Sequence, residues 1–268
     1  QEVSVLSWKV RGFPKGDEVA FDWYLKHANA GFIWAQWFLG QSLGLGLGTE
    51  QDDAQAAHWI RRAAEQGHSD AQYTLGRMYH SGCGVAYDDE EAVKWHHRAA
   101  EQGHSSAQCH LGLRYQFGRG VAHDEKEAAK WHRRAAEQGD ADSQYCLGSL
   151  YEYGYGVAND DEEAVKWYRQ AAEQGDSSAQ HSLGLMYEHG RGVANDDEEA
   201  VKWYRQAAEQ GDPYAQYGLG LMYQNGRGVP YDDEEAVKWY RQAAEQGNAD
   251  ARKILLSRSL EWVRKNAS

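Results

Sequence analysis

Cysteine is scarce in this 268-residue chain: Cys83, Cys109 and Cys146 are the only three, and no two hold equivalent places in the repeat described below. An odd, unaligned set does not describe a disulfide framework, so free thiols are expected. Thiols alone neither establish a reducing compartment nor exclude export. Positive charge is also short, with 28 Lys and Arg against 41 Asp and Glu and a net charge of -13. Binding a phosphate backbone needs a basic surface, so nucleic acid drops out as a partner class. Apolar runs long enough to cross a bilayer are missing, as is a secretory signal, and no membrane insertion is expected. The chain starts at Gln1 rather than Met, which points to processing or trimming.

Signatures of chemistry are missing too. There is no Gly-x-Ser-x-Gly elbow, no phosphate loop and no dinucleotide fingerprint. Acidic runs such as Asp160-Asp161-Glu162-Glu163 lack the glycine and ligand alternation of a calcium loop. Nine of the 12 histidines lie between His58 and His132, and the aligned pairs His68/His104 and His96/His132 fall on neighbouring helices. Yet no His-x-x-x-His or Cys-x-x-Cys spacing accompanies them, and Tyr168, Tyr204 and Tyr240 take the place of His96 in later copies, which favours aromatic packing. The expectation is no catalytic residue, no metal and no cofactor.

What the chain does have is tryptophan in register. Trp23, Trp59, Trp95, Trp131, Trp167, Trp203 and Trp239 follow one another at 36-residue intervals, the mark of a repeat architecture. In the copy from Ala179 to Gly211, Ala179, Leu183, Met186 and Tyr187 form an apolar stripe on one helix face, which predicts a first helix, A. Gly190 and Gly192 suit its C-terminus and a loop of positive φ. Asp196 and Glu199 read as an Asp-x-x-Glu capping box opening a second helix, B, which buries Ala200, Trp203, Ala207 and Ala208 and stops at Gly211. The box recurs at Asp88/Glu91, Asp124/Glu127, Asp160/Glu163 and Asp232/Glu235, with Asp52/Gln55 as a variant.

One helix pair cannot bury both of its stripes, so copies must stack into an all-α solenoid. Gly76, Gly112, Gly148, Gly184 and Gly220 interrupt helix A at about 1 kcal/mol each relative to alanine, which implies a close approach there. The reading is a single domain over 1–268: a partial first helix and loop over 1–16, repeats over 17–250, and a capping helix over 251–268. In the cap Leu256 replaces the glycine, and Arg252, Lys253, Arg258, Arg264 and Lys265 make its outer side polar.

The pattern A-Q-x-x-L-G-x-x-Y, G-x-G-V, D-x-x-E-A-x-x-W-Y-x-x-A-A-x-x-G resembles the Sel-1-like repeat family, kin of tetratricopeptide repeats, over about residues 15 to 255. The resemblance implies a right-handed α/α superhelix of helix-turn-helix repeats that acts as a non-catalytic scaffold or adaptor. It implies a bacterial protein, periplasmic or secreted rather than cytoplasmic. It also offers an alternative, a relative of the cysteine-rich branch with penicillin binding and weak β-lactamase activity, although the disulfide pattern of that branch is missing here.

In the tetratricopeptide fold helix A lines the concave face. The side of helix A opposite Ala71, Leu75 and Tyr79 carries Asp70, Tyr73, Arg77, His80 and Ser81, and these positions form columns through the copies. The columns vary while the packing positions hold, as expected of a groove for a protein or an extended peptide. Its candidate binding residues are Trp37, Tyr73, Arg77, His80, Leu113, Phe117, Tyr145, Tyr153, His181, His189 and Tyr217. With helices about 10 Å apart the columns run for about 50 Å.

Overall fold

The computed structural model describes residues 17–266, with side chains through Ser259. The partial helix and loop expected over 1–16, and the side chains of Arg264 and Lys265 in the cap, lie outside the described residues. Within them there are fourteen α-helices and no strand. In chain order they are α1 (Asp17–Asn29), α2 (Ile33–Leu45), α3 (Asp53–Glu65), α4 (Ser69–Ser81), α5 (Asp89–Glu101), α6 (Ser105–Phe117) and α7 (Glu125–Ala136). Then follow α8 (Ala141–Tyr153), α9 (Asp161–Glu173), α10 (Ser177–His189), α11 (Asp197–Glu209), α12 (Pro213–Asn225), α13 (Asp233–Glu245) and α14 (Ala249–Asn266). Even-numbered helices are the A helices and odd-numbered ones the B helices. The chain forms two compact units that divide at Ala135 and Ala136. In each, consecutive helices pack on one another, which is the α/α solenoid the repeat requires.

Local chemistry sets the helix boundaries. Asp176 caps α10 by accepting from the Ala179 N–H at 2.7 Å, and Gly190 ends it in the left-handed region at φ 64°. Gly192 is constrained twice. Its φ is 64°, and a Cβ there would stand 2.1 Å from the Asp161 carbonyl oxygen at the start of α9. The loop then returns to the Asp196 cap, whose Oδ1 accepts from the N–H groups of Glu198 and Glu199 at 3.1 and 3.0 Å.

Only half of the expected capping box forms. The Asp196 N–H donates to the Tyr187 carbonyl at 3.0 Å, while Glu199 pairs with Lys202 at 3.1 Å. The tight loop brings the cap against the last turn of α10, where the Tyr187 carbonyl is one of the groups a helix end leaves without an internal partner. That carbonyl takes the N–H the glutamate was expected to receive. Asp88, Asp160 and Asp232 donate in the same way to Tyr79, Tyr151 and Tyr223, and Glu91, Glu163 and Glu235 pair with Lys94, Lys166 and Lys238.

The helix-A glycines do mark a close approach, and the neighbour is a ring. A Cβ on Gly184 would meet Tyr204 Cδ1 and Cε1 at 2.7 Å, and one on Gly76 would meet His96 Cδ2 at 2.4 Å. Tyr168, Tyr204, Tyr240, His96 and His132 are all buried at this one position of helix B. Beside them Ala171, Ala172, Ala207 and Ala208 are buried, and Trp203 completes the core formed by α9 and α10.

A feature with no counterpart in the sequence reading ties the helices across copies. In the second unit Gln180 is buried, donates from Nε2 to the Ala172 carbonyl at 3.1 Å, and accepts at Oε1 from Gln210 Nε2 at 2.7 Å. Gln216 and Gln246 repeat the arrangement there, as do Gln72 and Gln102 in the first unit. The buried amide is thereby satisfied on both sides. The signal was present in the sequence as the recurring A-Q and E-Q-G pairs.

Candidate ligand-binding faces of the A helices

In the second unit the predicted column is built on the buried rings. Tyr145 lies over Tyr168 at 5.8 Å between centroids, His181 over Tyr204 at 5.9 Å and Tyr217 over Tyr240 at 5.9 Å. All three are half-buried. His181 also approaches the exposed ring of Tyr214 at 6.0 Å. Burial lowers the His181 pKa, opposed by the nearby acids Asp212, Glu152 and Glu188. Tyr153, at 59% exposure, and His189 stand clear of the packing, and Tyr153 stacks on Tyr155 at 5.8 Å.

Polar staples hold the rings from beneath. Tyr168 donates to Glu152 Oε2 at 2.7 Å, Tyr204 to Glu188 Oε2 at 2.6 Å, and Tyr240 to Gln224 Oε1 at 2.5 Å. Arg191 closes the first network, reaching Glu152 Oε1 at 2.7 Å and Asp161 at 2.8 and 3.1 Å. Arg227 closes the next on Glu188 at 2.8 Å and Asp197 at 2.6 and 3.1 Å. Burial, then the adjoining carboxylate, raises the phenol pKa values of Tyr168 and Tyr204; burial pushes Tyr240 up to about 12.

The first unit presents the same positions with different chemistry. Trp37 stacks on His68 at 5.4 Å. Tyr73 packs on His104 at 4.7 Å and His96 at 5.7 Å, and its hydroxyl hydrogen-bonds His110 Nε2 at 3.2 Å. Arg77 lies over the Tyr73 ring at 5.9 Å to the centroid, and Arg119 lies over the exposed Phe117 ring at 5.7 Å. Leu113 is half-buried, and Cys109, in the Tyr73 column, is buried and offers no surface to a ligand.

His68 and His104 do not converge on a metal. Each accepts through Nδ1 from a backbone N–H, that of Ala71 at 3.3 Å and Ala107 at 3.2 Å, and so serves as a helix cap in the place of Asp176. His104 then turns Nε2 to Asp70 at 3.3 Å. Among the described residues no group of three His, Cys, Asp or Glu side chains is arranged to hold a metal.

Asp89 gathers His80 at 2.9 Å, the Tyr87 hydroxyl and the buried guanidinium of Arg114. Burial works to raise its pKa, but the hydrogen bonds from Tyr87, His80 and Arg114 prevail and bring it down to about 2. His96 is fully buried, and neither ring nitrogen has a hydrogen-bond partner. Burial first, then the positive charge of His110, Arg114, His80 and Arg77, lowers it to about 3, so the imidazole is neutral.

Known proteins agree with the architecture. The Sel1 repeat model matches residues 11–32, 35–68, 69–104, 105–140, 141–176, 177–212 and 213–248. No curated protein matches the chain. Among solved structures, c5321, a protective antigen present in uropathogenic Escherichia coli strains and displaying an SLR fold, is 37% identical with a TM-score of 0.89 over 94% of this chain and 54% of that one. A Sel1 repeat protein from Oxalobacter formigenes is 35% identical with a TM-score of 0.76, covering 94% of this chain and 73% of that chain. The chain thus spans about half the length of c5321. Seven matched copies along nearly all of its length establish that this chain belongs to the Sel1 repeat family.

Proposed function

We propose that the chain is a non-catalytic scaffold that binds a partner protein, or an extended segment of one, on the faces of its A helices. The observation that carries this reading is the set of half-buried rings in the second unit, Tyr145, His181 and Tyr217, each seated on a buried ring that is itself fixed in place. Aromatic side chains already held in one rotamer lose little entropy on binding, and tyrosine is among the residues that carry most of an interface's energy. Exposed Tyr153 and His189 extend the surface beyond the seated rings.

The test is capture of a partner from the source bacterium by the intact chain and by a Tyr145→Ala/Tyr217→Ala variant. Loss of a hot-spot tyrosine costs about 2 kcal/mol, roughly 30-fold in affinity, so the variant should lose the partner. A Lys166→Ala/Lys202→Ala variant, altered on the exposed side of the B helices, should retain it. Equal capture by all three proteins would refute binding at the A-helix faces.

A further inference from the structure

The two units differ at one repeat position. In the second unit the chain supplies a carboxylate beside two of the three buried rings, Glu152 beside Tyr168 and Glu188 beside Tyr204, and an arginine closes on each, while Gln224 stands beside Tyr240. Thirty-six residues apart in register, the first unit has His80 and Gln116 at those places. Gln116 Oε1 is buried without a partner. The closing arginine persists as Arg119, and Arg77 and Arg114 are additional, standing where the second unit has Ser149 and Leu150. Arg114 is buried against Asp89, while Arg77 and Arg119 make no ion pair and rest only on the Tyr73 and Phe117 rings.

Asp89 faces Arg114 and His80 directly and Asp70 pairs with His68 and His104, which leaves Arg77 and Arg119 without a carboxylate, with His110 also on α6. Burial first, and then the charges of His110, Arg114, His80 and Arg77, disfavour a proton on the buried His96. In a chain of net charge -13 such a surplus of positive charge is local and stands out against its surroundings. Complementary potentials across an interface set partner choice and speed encounter.

We infer that the face of α4 and α6 in the first unit binds an acidic segment of a partner protein, whose Asp or Glu side chains engage Arg77 and Arg119 over the Tyr73 and Phe117 rings. The inference rests on the reading that A-helix faces bind protein and adds the chemistry of the partner. Guanidinium groups lying over rings present their donors outward and suit a carboxylate. Both arginines are exposed and unpaired, so their removal leaves the packing of the fold intact.

The experiment is fluorescence anisotropy of the full chain with a labelled octaglutamate peptide, against octaglutamine and octalysine of equal length. Octaglutamate should bind at least about tenfold more tightly than octaglutamine, with affinity falling as salt rises. An Arg77→Ala/Arg119→Ala variant, checked for native helicity by circular dichroism, should weaken octaglutamate binding roughly tenfold. The Lys166→Ala/Lys202→Ala variant, which removes two positive charges from the exposed side of the B helices, should leave that binding unchanged.

Octaglutamate binding no tighter than octaglutamine, tighter binding of octalysine, or unaltered binding by the double arginine variant would each overturn the inference. Concentration-dependent self-association abolished by the arginine changes would also overturn it, because the acidic runs of a second copy would then be the occupant. These outcomes separate from those of partner capture: a partner lost with the tyrosines while octaglutamate fails to bind keeps the scaffold reading and removes this one. Octaglutamate bound through Arg77 and Arg119 while capture ignores the A-helix faces does the reverse.

Discussion

At the scale of single residues, the pairing of a glycine with a ring decides the spacing of two helices. Gly184→Ala gains about 1 kcal/mol of helix propensity, but its Cβ enters the space of Tyr204, which Glu188 holds in place. Overpacking of this kind costs about 1–3 kcal/mol, so the variant is expected to be less stable in chemical denaturation. A variant as stable as the parent would show that the ring yields. His96 makes a second prediction. Its folded pKa of about 3 lies below the ordinary value of about 6.5, so between those limits the unfolded chain holds a proton that the folded chain does not. Stability therefore falls as pH drops through that window, by about 2 kcal/mol at pH 5 from this group. In His96→Phe, which keeps a ring against Gly76, the loss between pH 7 and pH 5 should shrink by that amount in denaturant titrations. An undiminished loss would place the sensitivity elsewhere.

At the scale of an element, the B helices show where a motif and its geometry part. The Asp-x-x-Glu spacing locates each helix start to the residue, because Asp160, Asp196 and Asp232 all accept from the N–H three places on. The glutamate's role was not legible, since a return of the loop onto the preceding helix supplies a backbone carbonyl that local sequence does not reveal. Asp196→Ala should cost about 1 kcal/mol, whereas Glu199→Ala removes an exposed pair with Lys202 and should change stability by less than about 0.5 kcal/mol. Thermal unfolding of the two variants separates these cases, and equal losses would restore the full box. On their packed side the A helices follow the apolar stripe, with Ala179, Leu183 and Met186 buried and Tyr187 half-buried against the same core. On the other side Tyr73, Tyr145 and Tyr217 proved half-buried rather than free, because a ring from helix B rises beneath each of them.

At the scale of the molecule, the period announced the solenoid because a 36-residue tryptophan rhythm has few other physical solutions. The contacts that join copies were hidden for a related reason: they link residues 30 or 39 places apart, such as Gln180 to Gln210 and Arg191 to Asp161 and Glu152, where no helical or strand period directs attention. The difference between the units was hidden as well. It arises where Glu152 and Glu188 give way to His80 and Gln116, substitutions that read as surface drift until the buried ring and its arginine are seen together.

Gly192 and Gly228, the second glycines of their loops, leave no room for a side chain against a carbonyl one copy earlier, and this bears on how such a chain changes length. Gly192 meets Asp161 and Gly228 meets Asp197 in the same way. Recombination that adds or deletes whole 36-residue modules preserves every such meeting. A crossover out of phase by even a few residues would set a side chain on the carbonyl and separate the glutamines that bridge the modules. Changes of length that keep the fold are therefore expected to come in complete copies.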